Sequence, residues 1–192
     1  MVRYTPAASA FATGNKYDIL SSSGGTYVFL VLNSNGSFTW SSSRSAGESS
    51  AQTYFPNSEG IDVFNRSLFF VSKARKTLIT LGLAAQTWSS SSTVSGQFDL
   101  QPDQIGRIIG DGDILYFCED GGSDCDIHGR DSSGQYFTIV EGTNFSTETT
   151  GLAFSPDAMY MYVAFQGNSE VFAFWRTDGL PFNGAVAGTK YH

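Results

Sequence analysis

The feature that most narrows what this chain can fold into is a long-period repeat. Short apolar runs begin near Tyr27, Leu68, Leu115 and Met161, which lie 41, 47 and 46 residues apart by subtraction. Each run is dominated by β-branched and aromatic residues, as a strand requires. A period in the forties is that of a four-stranded propeller blade.

Two further elements recur with the first. Turn-and-strand segments read Asn33-Ser-Asn-Gly-Ser-Phe-Thr-Trp40, Leu81-Gly-Leu-Ala-Ala-Gln-Thr-Trp88 and Asp131-Ser-Ser-Gly-Gln-Tyr-Phe-Thr138, with a looser version at Arg176-Thr-Asp-Gly-Leu-Pro-Phe182. They are expected to follow each apolar run directly. Gly36 and Gly134 stand where a tight hairpin needs positive φ, and Asn33 and Asp131 can bond the turn backbone. Ahead of three of the runs come Glu59-Gly-Ile-Asp-Val63, Asp103-Gln-Ile-Gly-Arg-Ile108 and Thr150-Gly-Leu-Ala-Phe154, with leading residues 44 and 47 apart. These are the expected innermost strands. Their leading ends, Glu59, Asp103 and the neighbourhood of Thr150, should converge on the axis.

The expectation is therefore an all-β chain, a β-propeller or partial propeller of about four blades of four-stranded antiparallel sheets. No linker divides residues 1–192, so they read as one propeller domain. The first blade lacks a clear innermost strand, which points to the C-terminal blades of a larger propeller. Open sheet edges at its ends would seek missing N-terminal blades or a partner subunit. Pro56, Pro102 and Pro156 each stand close to an innermost strand and fix the approach of the chain. The Ser-rich tracts 41–43 and 89–92 and the segment 46–52 read as polar connections. At Asp157-Ala158, where propeller turns commonly have Asp-Gly, a tight positive-φ turn is disfavoured.

Charge excludes several functions. Eleven Lys and Arg against 18 Asp and Glu give a net charge of -7, leaving no basic stripe for nucleic acid. The longest apolar stretches, residues 27–32 and 78–83, fall far short of the roughly 20 residues of a membrane helix, so no membrane span is expected. Residues 2–7 contain no apolar leader core.

Chemistry concentrates at Cys118-Glu119-Asp120-Gly-Gly-Ser-Asp124-Cys-Asp126. Such an oxygen-rich loop suits calcium without matching the twelve-residue helix-loop-helix pattern, and the competing reading is a solvated acidic turn. Cys118 and Cys125 could bridge across it, or Cys118 could be a buried strand residue and Cys125 a surface thiol. His128 reads as a loop residue rather than a base. Nucleophile elbow, phosphate-binding Gly loop and His-Glu-x-x-His are all missing from the sequence.

Four segments together resemble the PhoX-type alkaline phosphatases of marine bacteria and algae. They are Ser58-Glu59-Gly60 before Leu68-Phe-Phe-Val-Ser72, then Gln101-Pro-Asp-Gln-Ile105, Leu115-Tyr-Phe-Cys-Glu-Asp-Gly121, and Thr150-Gly-Leu-Ala-Phe-Ser-Pro-Asp157 leading into Met161-Tyr-Val-Ala-Phe-Gln166. Asp178-Gly-Leu-Pro-Phe182 and Lys190-Tyr-His192 look similar to algal members. The resemblance covers residues 57–182 and implies a secreted or extracytoplasmic phosphomonoesterase with calcium and iron at the propeller axis. Carried over by motif, it makes Glu59, Asp103, Glu119 and Asp120 the candidate metal ligands. It also implies that an upstream portion without counterpart here supplies a thiolate to the iron, a role Cys118 does not inherit. The alternative is a noncatalytic propeller that binds a protein or glycan, or a structural subunit of a larger assembly.

Overall fold

The computed structural model describes residues 1–12, 14, 15, 17–21, 24–122, 124–141, 147–183 and 192. Fourteen strands form four consecutive antiparallel meanders. Blade one holds β1 (Val2–Thr5), β2 (Thr26–Leu32) and β3 (Phe38–Ser41), with α1 (Asp18–Ser21) between the first two. Blade two holds β4 (Ser58–Phe64), β5 (Ser67–Ser72), β6 (Thr77–Gly82) and β7 (Thr87–Ser92). Blade three holds β8 (Gln101–Gly106), β9 (Leu115–Asp120), β10 (Ile127–Arg130) and β11 (Tyr136–Val140). Blade four holds β12 (Thr149–Phe154), β13 (Met161–Phe165) and β14 (Glu170–Phe174). The chain is thus an all-β partial propeller of four blades, two of them four-stranded and two three-stranded among the described residues.

The apolar material is partitioned between blades. Leu30, Phe38, Phe55, Phe70, Ile79 and Leu81 fill the space between blades one and two. Val71, Leu78, Phe98, Leu115 and Phe117 lie between two and three, and Tyr116, Cys118, Ile127, Met161, Val163 and Phe165 between three and four. This follows from strand alternation, because a strand flanked by two neighbouring blades buries both faces. β9 accordingly has its first five residues buried.

β4 packs on β8 and β8 on β12, so the strands read as innermost are innermost. Each carries a β-bulge just after its leading residues: between Glu59 and Ile61, between Pro102 and Ile105, and between Thr150 and Ala153. The bulges interlock from blade to blade. A Cβ on Gly60 would lie 2.7 Å from the Asp103 carbonyl oxygen and 2.9 Å from the Gln104 carbonyl carbon, so β4 can reach β8 only through a glycine. On the far side of β8, the Gln104 amide donates to Leu152 O and accepts from Leu152 N, both at 3.2 Å. That pairing satisfies backbone groups that the bulge in β12 removes from the ladder.

Blade one departs from this pattern. It joins blade two through α2 (Arg44–Tyr54), which packs on β2, and through a bridge of Ser37 to Thr87. Among the described residues, no innermost strand of blade one is set against β4, as the sequence suggests. Segment 46–52 is a connection between blades one and two, and it is helical: Ser43 caps the helix by accepting from Ala46 N, and Ser50 accepts from Leu32 N at 2.8 Å. Residues 89–92 are no connection, since they form the paired outer strand β7.

The hairpins also differ in phase from expectation. Those at 81–88 and 131–138 join the third and fourth strands of their blades, because β6 and β10 intervene after the apolar runs. Gly36 and Gly134 adopt φ of 80° and 90° as their turns demand. Ala158 also takes positive φ, 59°, contrary to expectation, in a turn held by Asp157 Oδ1, which accepts from the Ser155 hydroxyl and Met159 N. Lys190 lies outside the described residues. His192 docks on the edge of blade three, donating its N–H to Tyr136 O at 3.0 Å.

Candidate metal centre

β9 ends with two adjacent carboxylates, and strand alternation sends them into different surroundings. Glu119 has no exposed surface. Its Oε1 accepts from Leu100 N at 2.7 Å, and its Oε2 accepts from Asp126 N at 3.1 Å and lies 3.3 Å from His128 Nε2. His128, read from sequence as a loop residue, belongs to β10 and is fully enclosed, stacked on Phe98 with ring centroids 4.3 Å apart. Its Nδ1 lies 3.1 Å from Thr138 Oγ1, which is 3.0 Å from His192 Nε2. With Glu119 ionised, His128 donates from Nε2 and accepts the Thr138 hydroxyl at Nδ1. The Thr149 hydroxyl ties the same corner to blade four, accepting from Glu119 N at 2.9 Å.

Glu119, Asp126 and His128 therefore bring ligand atoms within 4.8 Å of one another. Their hydrogen bonds make this a pinned corner of the fold. Both oxygens of Glu119 already serve protein donors, so a metal there would have to displace them. The acidic stretch is no solvated turn at this residue.

Asp120 belongs to a second group. Asp103, Asp120 and Glu148 also place carboxylate oxygens within 4.8 Å. The bulge in β8 carries Asp103, the end of β9 carries Asp120, and Glu148 immediately precedes β12. Lys73, in the turn between β5 and β6, lies 3.2 Å from Asp103 Oδ2 and is ion-paired to Asp120 Oδ2. Segments of blades two, three and four thus meet at the leading end of the inner strands.

The electrostatics of this group follow from three negative groups facing one cation. Burial by itself would lower the Lys73 pKa; the hydrogen bonds its ammonium donates to Asp120 and Asp103 reverse that and hold it above its usual value. Glu148 is pushed up to about 7, first by burial, then by its hydrogen bond with Asp103 and the charges of Asp120 and Asp103, with Lys73 opposing. A carboxyl that keeps its proton near neutrality because of neighbouring carboxylates is a place where a cation can replace that proton.

The four residues singled out from sequence are thus separated. Asp103 and Asp120 come together, Glu119 joins His128 instead, and Glu59 is exposed on β4 outside both groups. Sequence reasoning missed Lys73 and Glu148; Asp126 lay within the marked acidic stretch without being chosen, and His128 was read as a loop residue. Glu148 left one trace, two residues ahead of the third inner-strand motif. Cys118 and Cys125 are free and buried, and burial pushes the Cys118 thiol up to about 12, so it offers no thiolate.

No family model and no curated protein matches this chain. Among solved structures, it is similar to the calcium-binding protein regucalcin from Agrobacterium tumefaciens, at 13% sequence identity and a TM-score of 0.39. The match covers 66% of this chain and 57% of that one.

Proposed function

We propose that this chain forms the later blades of a metal-dependent phosphomonoesterase propeller of the PhoX kind, in which Asp103, Asp120 and Glu148 hold calcium at the mouth of the ring. The observation that carries this reading is the convergence of those carboxylates, two from the Pro-Asp and Cys-Glu-Asp-Gly segments, within 4.8 Å of one another. Calcium takes six to eight oxygen ligands, which suits an all-carboxylate group completed by water and by residues of the missing blades or a partner subunit. Bound calcium would supply positive charge to a phosphoryl oxygen. Asp103 and Asp120 would orient it, with Lys73 limiting the negative charge of the empty site. Iron is not assigned to residues of this chain: neither thiol is ionised, and Glu119 is already satisfied by protein donors.

A second reading, a noncatalytic propeller binding a protein or glycan or serving a larger assembly, draws support from Lys73, which already pairs with Asp103 and Asp120. Calorimetric calcium titration of the purified chain and of Asp120→Asn, run with a phosphomonoester hydrolysis assay, tests both. Calcium binding lost in Asp120→Asn, with turnover once the missing blades are supplied, is the expected result. No calcium binding defeats the first reading, and binding without turnover in the completed assembly selects the second.

A further inference from the structure

At the opposite end of the same strands, blades two and three line a solvent-open cavity of about 240 Å³. β9 runs from Leu115 in its wall to Asp120 in the carboxylate group, so about 17 Å separates the two along the strand. Arg107 leaves the end of β8, Arg130 ends β10, and both line the cavity with Phe64, Asn65, Phe69 and Ser132. The Nε atoms of both arginines are buried and have no hydrogen-bond partner. Guanidinium donors removed from water without acceptors are costly, and both of these residues line the one cavity.

The surroundings fix both heads and leave these donors spare. Arg107 lies over the Phe69 ring at 4.3 Å and the Phe64 ring at 5.4 Å, and its Nη1 is ion-paired to Asp62. Arg130 sits over Tyr136 at 5.6 Å. Two acids, Asp113 and Asp131, line the cavity as well. Asp62 is taken by Arg107, Asp113 is exposed, and Asp131 Oδ1 accepts from the Ser133 hydroxyl and Gln135 N within its own hairpin.

We propose that this cavity is a second binding site, for a small oxyanion ligand, a carboxylate or a phosphate, whose oxygens accept from Arg107 and Arg130. A volume of about 240 Å³ accommodates inorganic phosphate or a short organic acid. Paired guanidinium groups favour ligands whose oxygens are spread in a plane or tetrahedron rather than a halide. The site is independent of the cation reading above, since no residue is shared.

The test is calorimetric titration of the purified chain with inorganic phosphate and, separately, with acetate, both in chelator so that the carboxylate group holds no metal. Saturable binding of one probe is expected, and the better probe identifies the ligand as phosphoryl or carboxylate. Arg130→Gln should bind at least about tenfold more weakly, and Arg130→Lys should be weakened too because the fork is lost. Lys73→Met, at the other end, should bind as the parent does. In the unaltered chain, the preferred probe should slow arginine-specific dicarbonyl modification of residues 107 and 130, read by peptide mass spectrometry. Failure of both probes to saturate, unchanged affinity in a folded Arg130→Gln, or unprotected arginines would overturn the proposal.

Discussion

Glu119 and Asp120 are consecutive residues of β9, yet one is closed into the fold against His128 and the other reaches the Lys73 ammonium. Substitutions at the two positions should separate accordingly. Glu119→Gln replaces an acceptor oxygen with an amide that cannot accept from Asp126 N or His128 Nε2 while still serving Leu100. A loss of roughly 2–3 kcal/mol in urea unfolding is expected, with calcium affinity little changed. Asp120→Asn should do the reverse, sparing stability and weakening calcium binding at least about tenfold. Equal effects of both variants on calcium would mean that the two carboxylates serve one site.

Gly60 is the member of the Ser-Glu-Gly segment on which the architecture depends, because its missing Cβ lets β4 touch the bulge of β8. The obstacle to a side chain is backbone, which cannot rotate away. Gly60→Ala should destabilise by about 1–3 kcal/mol and loosen the Asp103 position along with it. Hydrogen exchange at residues 103–106 should quicken in the variant. Parent-like exchange there would show that blades two and three do not rely on this approach.

What could be read from the chain beforehand was whatever tertiary packing repeats. β5 and β9 are apolar because each lies between two neighbouring sheets, β13 because Met161, Val163 and Phe165 face blade three, and the β4, β8 and β12 motifs recur because the same bulge is built three times. β10, only Ile127–Arg130, was obscure: a four-residue run containing His and Gly has no strand pattern until Phe98 covers His128. β7 was obscure because an outer strand of serines is held by its backbone pairing with β6 rather than by propensity. The carboxylate group was half legible. Asp103 and Asp120 sit in motifs, whereas Lys73 and Glu148 are single charged residues that only the meeting of three blades brings to them.

Lys73 stands in the carboxylate group as an internal counter-cation, so its removal should trade stability for metal affinity. Lys73→Met leaves Asp103 and Asp120 facing each other with no positive partner. The metal-free protein should lose roughly 1–2 kcal/mol, less than a fully buried pair would cost because these side chains keep some exposure. For a chain of this size that lowers Tm by about 2–4 °C per kcal/mol. Calcium should then raise Tm by more than it does in the parent, since stabilisation by binding grows with the logarithm of affinity. A calcium response smaller than the parent's would show that Lys73 assists the cation rather than standing in for it.

Glu148 sets the pH dependence of the same group. Its carboxyl holds its proton up to about 7 in the folded chain, against 4.5 for the ordinary side chain, owing to burial, its hydrogen bond with Asp103 and the charges of Asp120 and Asp103. The folded state therefore binds this proton more tightly than the unfolded one. The stability it contributes is complete below about pH 4.5 and is lost as the pH rises through about 7. Calcium competes with that proton, so affinity should climb by up to about tenfold per pH unit below 7 and level off above it. Titrations near pH 6, 7 and 8 in two buffers of different ionisation enthalpy should detect one proton released per calcium at the acid end. Glu148→Gln should bind more weakly throughout and lose the slope. A slope that persists in Glu148→Gln would assign the proton to Asp103 or Asp120 instead.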